Sequence, residues 1–381
     1  MTPAEPSSGA VPTDRFPRAV SRRLPDFPWD TLRDQAELAR AHPDGLVDLS
    51  VGTPVDPVPG FVQRALAEAA DRPGYPATQG TPALRAAAVD WMQRRLGVTG
   101  VDPDAVLPVL GTKELVAWLP TLLGLGTTDT VVVPELAYPT YAVGAQIAGA
   151  ATIVTDSTVS LGPAPVAMVW VNSPSNPTGR IQPPEHLRKV VAWARERNAV
   201  VVSDECYIEL GWEERPVSVL HPDVCGGTSR GILAVHSLSK RSNLAGYRAG
   251  FVAGDEELVG LLLAARKHAG MMMPGPIQAA MAAALADDGH VVEQRERYRV
   301  RREILRAALR GAGFTVDHSQ GGLYLWATRG EPARHSGSWF AQRGILVAPG
   351  DFYGPSGARH VRVALTASDD DVARAADRLT G

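Results

Sequence analysis

The sequence predicts an α/β protein, with a large domain built on a mostly parallel, seven-stranded sheet between helices and a smaller α+β domain. Three observations predict it. Short apolar runs recur seven times between residues 106 and 253, separated by longer amphipathic stretches. These runs lack the alternation of a sheet with one wet face, so helices are expected on both faces. After about residue 256 the pattern changes to long charged helices followed by short strands, which marks a second unit.

Residues 1–26 are rich in Pro, Ser and Arg, show no hydrophobic period, and read as a mobile leader. They contain no apolar centre, so a secretory signal is not expected. Strands are expected at 106–110, 130–133, 152–154, 166–171, 199–203, 232–236 and 249–253. Among the intervening helices, 184–197 sets Leu187, Val190, Val191 and Ala194 on one face. A helix at 256–269 precedes a break at Pro274-Gly275-Pro276, and charged helices then run to Arg310. Strands follow at 314–316, 323–326 and 361–364. We assign 45–265 to the large domain and 27–44 with 266–381 to the small one; 381 residues suffice for both cores.

Bulk properties exclude several function classes. A net charge of -3 gives no electrostatic basis for a nucleic-acid partner or an anionic membrane surface. The longest apolar stretch, 142–154, is interrupted by Gln146 and falls short of the roughly 18 residues of a spanning helix. Cys206 and Cys225 do not make a disulfide framework. A cytoplasmic protein without a metal centre or membrane partner is expected.

Open parallel sheets bind ligands at the carboxyl ends of their strands. Run 106–110 ends in Gly111-Thr112-Lys113-Glu114, where a helix start offers free amides to a phosphate; an ordinary capped turn reads equally well there. Run 166–171 ends in 172–179, NSPSNPTG, a rigid turn that fixes the Asn176 amide. Run 199–203 ends in Asp204-Glu205-Cys206-Tyr207. A carboxylate there is costly unless a cation meets it, either a structural arginine or the protonated nitrogen of a pyridine ring. Tyr207 is placed to reach a ring hydroxyl or to cap the core.

Run 232–236 ends in Ser237-Leu238-Ser239-Lys240, with Arg248 eight residues on. This set supplies an amine for an aldehyde and hydroxyl and guanidinium donors for a phosphate. Amine, ring carboxylate, amide turn and phosphate donors together point to pyridoxal 5'-phosphate (PLP).

Over essentially its full length from residue 25, the chain resembles the class I/II, fold-type I PLP-dependent aminotransferases. The stretches that carry the resemblance are LSVGTP (49–54), GYPATQGTPALR (74–85), GTKE (111–114), YPTY (138–141), NSPSNPTG (172–179), SDECY (203–207), SLSKRSNLAGYRAGF (237–251) and VRVAL (361–365). The resemblance implies Lys240 as the lysine that bonds the cofactor aldehyde and Asp204 as the partner of the ring nitrogen. It implies Asn176 and Tyr207 on the ring hydroxyl and Tyr138 stacked on the ring face. Gly111, Thr112, Lys113, Ser237, Ser239 and Arg248 are implied around the phosphate, with Tyr75 reaching in from a second subunit of a homodimer. Lys113 lies where the family offers a backbone amide, so its side chain is free for another role, such as a substrate acid. Arg362 is implied for the substrate α-carboxylate, with Gly52 letting the backbone come close.

Further stretches, including FPWDTL (27–32), RKHAGMM (266–272) and RGILVAPGDFYGP (343–355), resemble the bacterial succinyl-diaminopimelate aminotransferases. The implied reaction exchanges an amino group between glutamate and N-succinyl-2-amino-6-oxopimelate, in ping-pong order. A substrate with several carboxylates needs cations beyond Arg362; Lys113, Arg180, Arg241 and Arg329 are the candidates. The alternatives are an aminotransferase of other specificity, a PLP-dependent C–S lyase, or an aminotransferase-like sensor domain; the last needs a DNA-binding domain for which the leader is too short.

Overall fold

The computed structural model describes residues 19–162 and 164–381. Of the leader expected over 1–26, residues 1–18 lie outside the described residues, and Val20–Arg23 forms a single 3-10 turn.

The central sheet has seven strands. Their spatial order is Val106–Leu110, Ala249–Gly254, Ile232–Ser237, Val200–Asp204, Val166–Asn172, Thr130–Val133 and Ala151–Val154. Ala249–Gly254 runs antiparallel to both neighbours, and the other strands are parallel to one another. Side chains alternate across the sheet. Met168 and Trp170 pack with Leu115, Tyr141 and Leu262, whereas Val169 and Val171 pack with Leu187, Val190 and Met281. Both faces are dry, which is why the runs read as continuously apolar. Each fully buried Val or Leu contributes about 1.5–3 kcal/mol.

The second core is built on a four-stranded antiparallel sheet in the order Ala348–Pro349, Val361–Ala364, Tyr324–Thr328, Thr315–Asp317. Helices Gly289–Gly311 and Asp369–Thr380 cover it through Tyr298, Leu305, Leu309, Val372 and Leu379. Packing does not break at residue 265. Met273 and the Gly275–Ala286 helix, through Ala280, Met281 and Ala284, join Val62 and Leu84 in the core of the large sheet. Conversely, Val47 and Leu49 pack in the smaller core, and Val47–Asp48 pairs in parallel with Ile345–Leu346. Two residues of strand are too few to show a period, so this ladder is not legible in the sequence.

Local signals set the helix that supports the site. Asp255 caps Glu256–Ala269 by accepting from the amides of Glu257 at 2.9 Å and Leu258 at 3.2 Å, a cap worth about 1 kcal/mol. Arg266, Lys267 and His268 occupy its last turn, and Gly270 ends it at φ 68°. Arg266, fully buried, forks onto Glu114 at 2.9 and 3.2 Å and so fixes the Thr112–Leu122 helix. No helix among the described residues is long and apolar enough to cross a membrane.

Candidate active site

The carboxyl ends of the parallel strands open into a cleft of about 520 Å³ that the smaller unit closes with Tyr324 and Arg362. Asp204 is the last residue of its strand, one position beyond the expected end at Ser203. Its buried carboxylate accepts from Tyr141 Oη at 2.7 Å and from the Cys206 amide at 3.1 Å. Neither donor is charged, and no cation pairs with it among the described residues. Burial accordingly pushes the Asp204 carboxyl above its usual range, against these hydrogen bonds.

Lys240 lies in the one-turn helix Leu238–Arg241 that follows its strand. Ser237 caps that turn by accepting from the Ser239 amide at 3.1 Å. Lys240 Nζ donates to the Gly52 carbonyl, and burial lowers its proton affinity below that of an ordinary lysine. An amine in this state is a better nucleophile than an exposed one. Gly52 itself is tightly confined: a Cβ there would collide with the Tyr324 hydroxyl.

Arg362 is 2 % exposed. Its Nη1 donates to Asn176 Oδ1 at 2.9 Å and its Nη2 to the Ser50 carbonyl at 2.7 Å. Its guanidinium lies 3.8 Å from the Tyr324 ring centroid. Its Nε is buried without a partner, and no carboxylate pairs with the group among the described residues. Asn176 is held in turn, its amide donating to Asn172 Oδ1 at 2.7 Å.

At the other end of the cleft, Gly111 adopts φ 81° as it enters the Thr112–Leu122 helix. A Cβ at Gly111 would fall within the Arg248 guanidinium, so only glycine lets that cation lie against the helix N-terminus. Thr112, Ser237 and Ser239 line the same end. The Lys113 ammonium stands 5.0 Å over the Phe27 ring, and burial followed by the charge of Arg248 lowers its pKa.

The structure thus brings Gly52, Thr112, Lys113, Tyr138, Asn176, Asp204, Tyr207, Ser237, Ser239, Lys240, Arg248 and Arg362 to one cleft, with Gly111 against it. Burial pushes the Tyr138 hydroxyl up to about 12, and its ring meets Tyr141 edge-on at 5.8 Å. Tyr207 Oη lies 3.1 Å from Tyr324 Oη. Tyr75 is outside the cleft and 97 % exposed.

Three of the four further cations are elsewhere. Arg241 is buried against Glu209, Arg329 pairs with Glu331 and stacks on Trp339, and Arg180 lines a separate cavity with His186. Loop position in sequence does not fix side-chain direction. Sequence reasoning missed Tyr141, Tyr324, Phe27 and Trp29 as cleft residues. All four stand within stretches that the sequence singles out, but nothing local shows that Tyr324, on a strand of the other sheet, reaches this cleft.

The comparisons with known proteins decide the family. The model for "Aminotransferase class I and II" matches residues 44–379. The chain belongs to the class I and II aminotransferases. The probable aminotransferase Rv1178 of Mycobacterium tuberculosis is 64% identical over 381 residues, covering 98% of this chain and 91% of that protein. The 4-dedimethylamino-4-oxo-anhydrotetracycline transaminase OxyQ of Streptomyces rimosus is 61% identical over 359 residues, covering 94% of this chain and all of that one. Among solved structures, a probable N-succinyldiaminopimelate aminotransferase from Thermus thermophilus superposes with a TM-score of 0.84 at 27% identity, covering 93% of this chain and 99% of that one.

Aminotransferases of this fold use PLP, and the cleft of this aminotransferase fits it. A buried carboxylate without a cation, an amine of lowered proton affinity, and a guanidinium on a helix N-terminus match a pyridinium, an aldehyde and a phosphate.

Proposed function

We propose that this aminotransferase exchanges an amino group between glutamate and N-succinyl-2-amino-6-oxopimelate, as an N-succinyl-LL-2,6-diaminopimelate:2-oxoglutarate aminotransferase. The observation that carries the α-amino-acid part is Arg362, a buried guanidinium with no anion among the described residues, facing the cleft that holds Lys240. A planar carboxylate is the anion that a guanidinium fork suits. Lys113 is the cleft cation left for a second carboxylate. The likeness to the Thermus thermophilus protein supports the succinylated acceptor.

Each residue has a proposed task. Bound PLP supplies the electron sink that makes the substrate α-proton removable. Asp204 keeps a proton on the ring nitrogen, with Tyr141 and the Cys206 amide aiming its oxygens. Asn176 and Tyr207 hold the ring hydroxyl and Tyr138 covers the ring face. Gly111, Thr112, Ser237, Ser239 and Arg248 surround the phosphate; Tyr75 serves that of a neighbouring copy, in a homodimer. Lys240 moves the proton at the substrate α-carbon as general base and acid.

A second reading is an amino acceptor with a bulky apolar body, as the name of the OxyQ relative suggests. Phe27 and Trp29, with ring centroids 5.6 Å apart at the cleft, favour it. Presenting the aminated enzyme with each acceptor separates the readings. Rapid return to the starting form with the succinylated keto acid supports the first, and return only with a polycyclic ketone supports the second. Release of pyruvate from cystathionine would instead mark a C–S lyase.

A further inference from the structure

Behind the cleft, beyond Cys206 and Ser237, lies a second and much smaller void lined by Trp91, Glu205, His236, Arg241 and Phe251. It leaves about 10 Å³ for the centre of a water-sized sphere, the room that one water needs. Its walls are charged and buried: Glu205 and His236 are each 2 % exposed and Arg241 is 5 % exposed. Glu205 Oε2, both ring nitrogens of His236 and Arg241 Nη2 lack hydrogen-bond partners there, while Arg241 Nε is held by Glu209. Leaving such groups unpaired is costly, because burial strips their water without replacing it. Glu205 Oε2 and His236 Nε2 are 3.7 Å apart, too far for a direct hydrogen bond.

The position of these groups gives the void a role. Glu205 follows Asp204 directly, and His236 precedes Ser237 and the turn that carries Lys240. The Glu205 amide donates to the Val235 carbonyl at 2.9 Å, and its Oε1 accepts from the Val219 amide at 2.7 Å. We propose that Glu205 is a positioning residue that bridges His236 and Arg241 through one water in this void. The bridge fixes the Asp204 and Lys240 strand ends against each other.

The surroundings favour a proton on Glu205 below about pH 7. Burial pushes Glu205 up to about 7, and the neighbouring Asp204 adds to the rise. Burial, then the charge of Arg241, pushes His236 down to about 3, so the ring is neutral. Glu209 neutralises Arg241 and also takes Arg95; the Ser218 and Ser203 hydroxyls face Glu205 and oppose the rise, and the other walls include Cys206, Ser237, Leu238 and the Trp91 and Phe251 rings. An ionised Glu205 would put a second negative charge beside Asp204, without a cation of its own.

The test uses the PLP-loaded enzyme and glutamate alone, so it does not depend on the keto acid. Crystallography at a resolution that shows waters should find one bonded to Glu205 Oε2 and Arg241 Nη2. An empty void, or a Glu205 turned directly onto His236, overturns the proposal. Infrared difference spectra should show a protonated carboxyl that titrates near 7 and is missing in Glu205→Gln. In single-turnover experiments Glu205→Ala should lower the maximal rate of the half-reaction with glutamate about tenfold or more at an unchanged half-saturating glutamate concentration, and Glu205→Gln should restore most of it, since small misplacement is costly in rate. If Glu205→Ala does not fold, the density and infrared results decide alone. An unchanged half-reaction rate in a folded Glu205→Ala rejects the positioning role.

Discussion

Arg362 Nη1 and Asn176 Oδ1 lie 2.9 Å apart, joining the smaller sheet to the loop that ends a central strand of the larger one. The contact orients a buried guanidinium whose charge no carboxylate among the described residues balances. Arg362→Lys keeps the charge but loses the fork. We predict a rise of about 10- to 100-fold in KM for glutamate, the worth of one set of charge-assisted bonds. Steady-state kinetics check this; unchanged kcat/KM would remove Arg362 from the substrate site.

Asp204 should matter through its charge more than its shape. Asp204→Asn preserves size and the Cys206 contact but cannot hold a ring proton. Turnover should fall by roughly 100-fold or more while PLP still binds, in line with the loss of a preorganised charge. Tyr141→Phe removes only the 2.7 Å donor and should cause a smaller loss in the same direction. Single-turnover rates with glutamate rank the three enzymes, and equal rates for wild type and Asp204→Asn contradict the assignment.

Acid sensitivity should trace to His236. Its folded pKa of about 3 lies below the ordinary 6.5, so the unfolded chain binds the extra proton between those values and stability falls as pH falls. Glu205 works oppositely: with a folded pKa of about 7 against 4.5, it loses stability as pH rises through that window. The two offset each other between about 4.5 and 6.5, leaving His236 dominant below. His236→Gln should therefore move the acid-unfolding midpoint to lower pH, read by circular dichroism. An unmoved midpoint means other groups govern acid unfolding.

Arg301 ties the N-terminal segment to the smaller unit. It is 2 % exposed and forks onto Asp56 at 2.8 and 2.7 Å, while Gln294 donates to the same carboxylate at 2.7 Å. Asp56→Ala strands the buried cation with only Asp369, which is largely exposed. A loss of about 3–5 kcal/mol is expected, measurable by urea unfolding. A loss below about 1 kcal/mol would place the pair with weak surface bridges.

The large sheet is legible in the sequence because both of its faces are buried, so each strand stands out as a continuous apolar run. Lys240, Asp204 and Asn176 are legible for a related reason. A polar or charged residue at the end of a buried strand is costly to bury, so it marks a place where a ligand or a partner charge must meet it. Tyr324 is not legible, because it reaches Gly52 and Arg362 only when two sheets meet. The affiliation of Gly275–Ala286 is hidden too, since a small-residue helix fits either core. Arg241 and Arg329 look available on loops and are held by Glu209 and Glu331, contacts that sequence does not encode locally.

The central claim, that Lys240 bonds the cofactor and serves transamination, is tested most directly by an absorbance spectrum of the purified protein with PLP. Wild type should show the visible band of lysine-bound cofactor, and glutamate should convert it to the shorter-wavelength aminated form. Lys240→Ala should lack both the band and the conversion. A wild-type protein that shows no such band, or a Lys240→Ala variant that still turns over glutamate, would contradict the account.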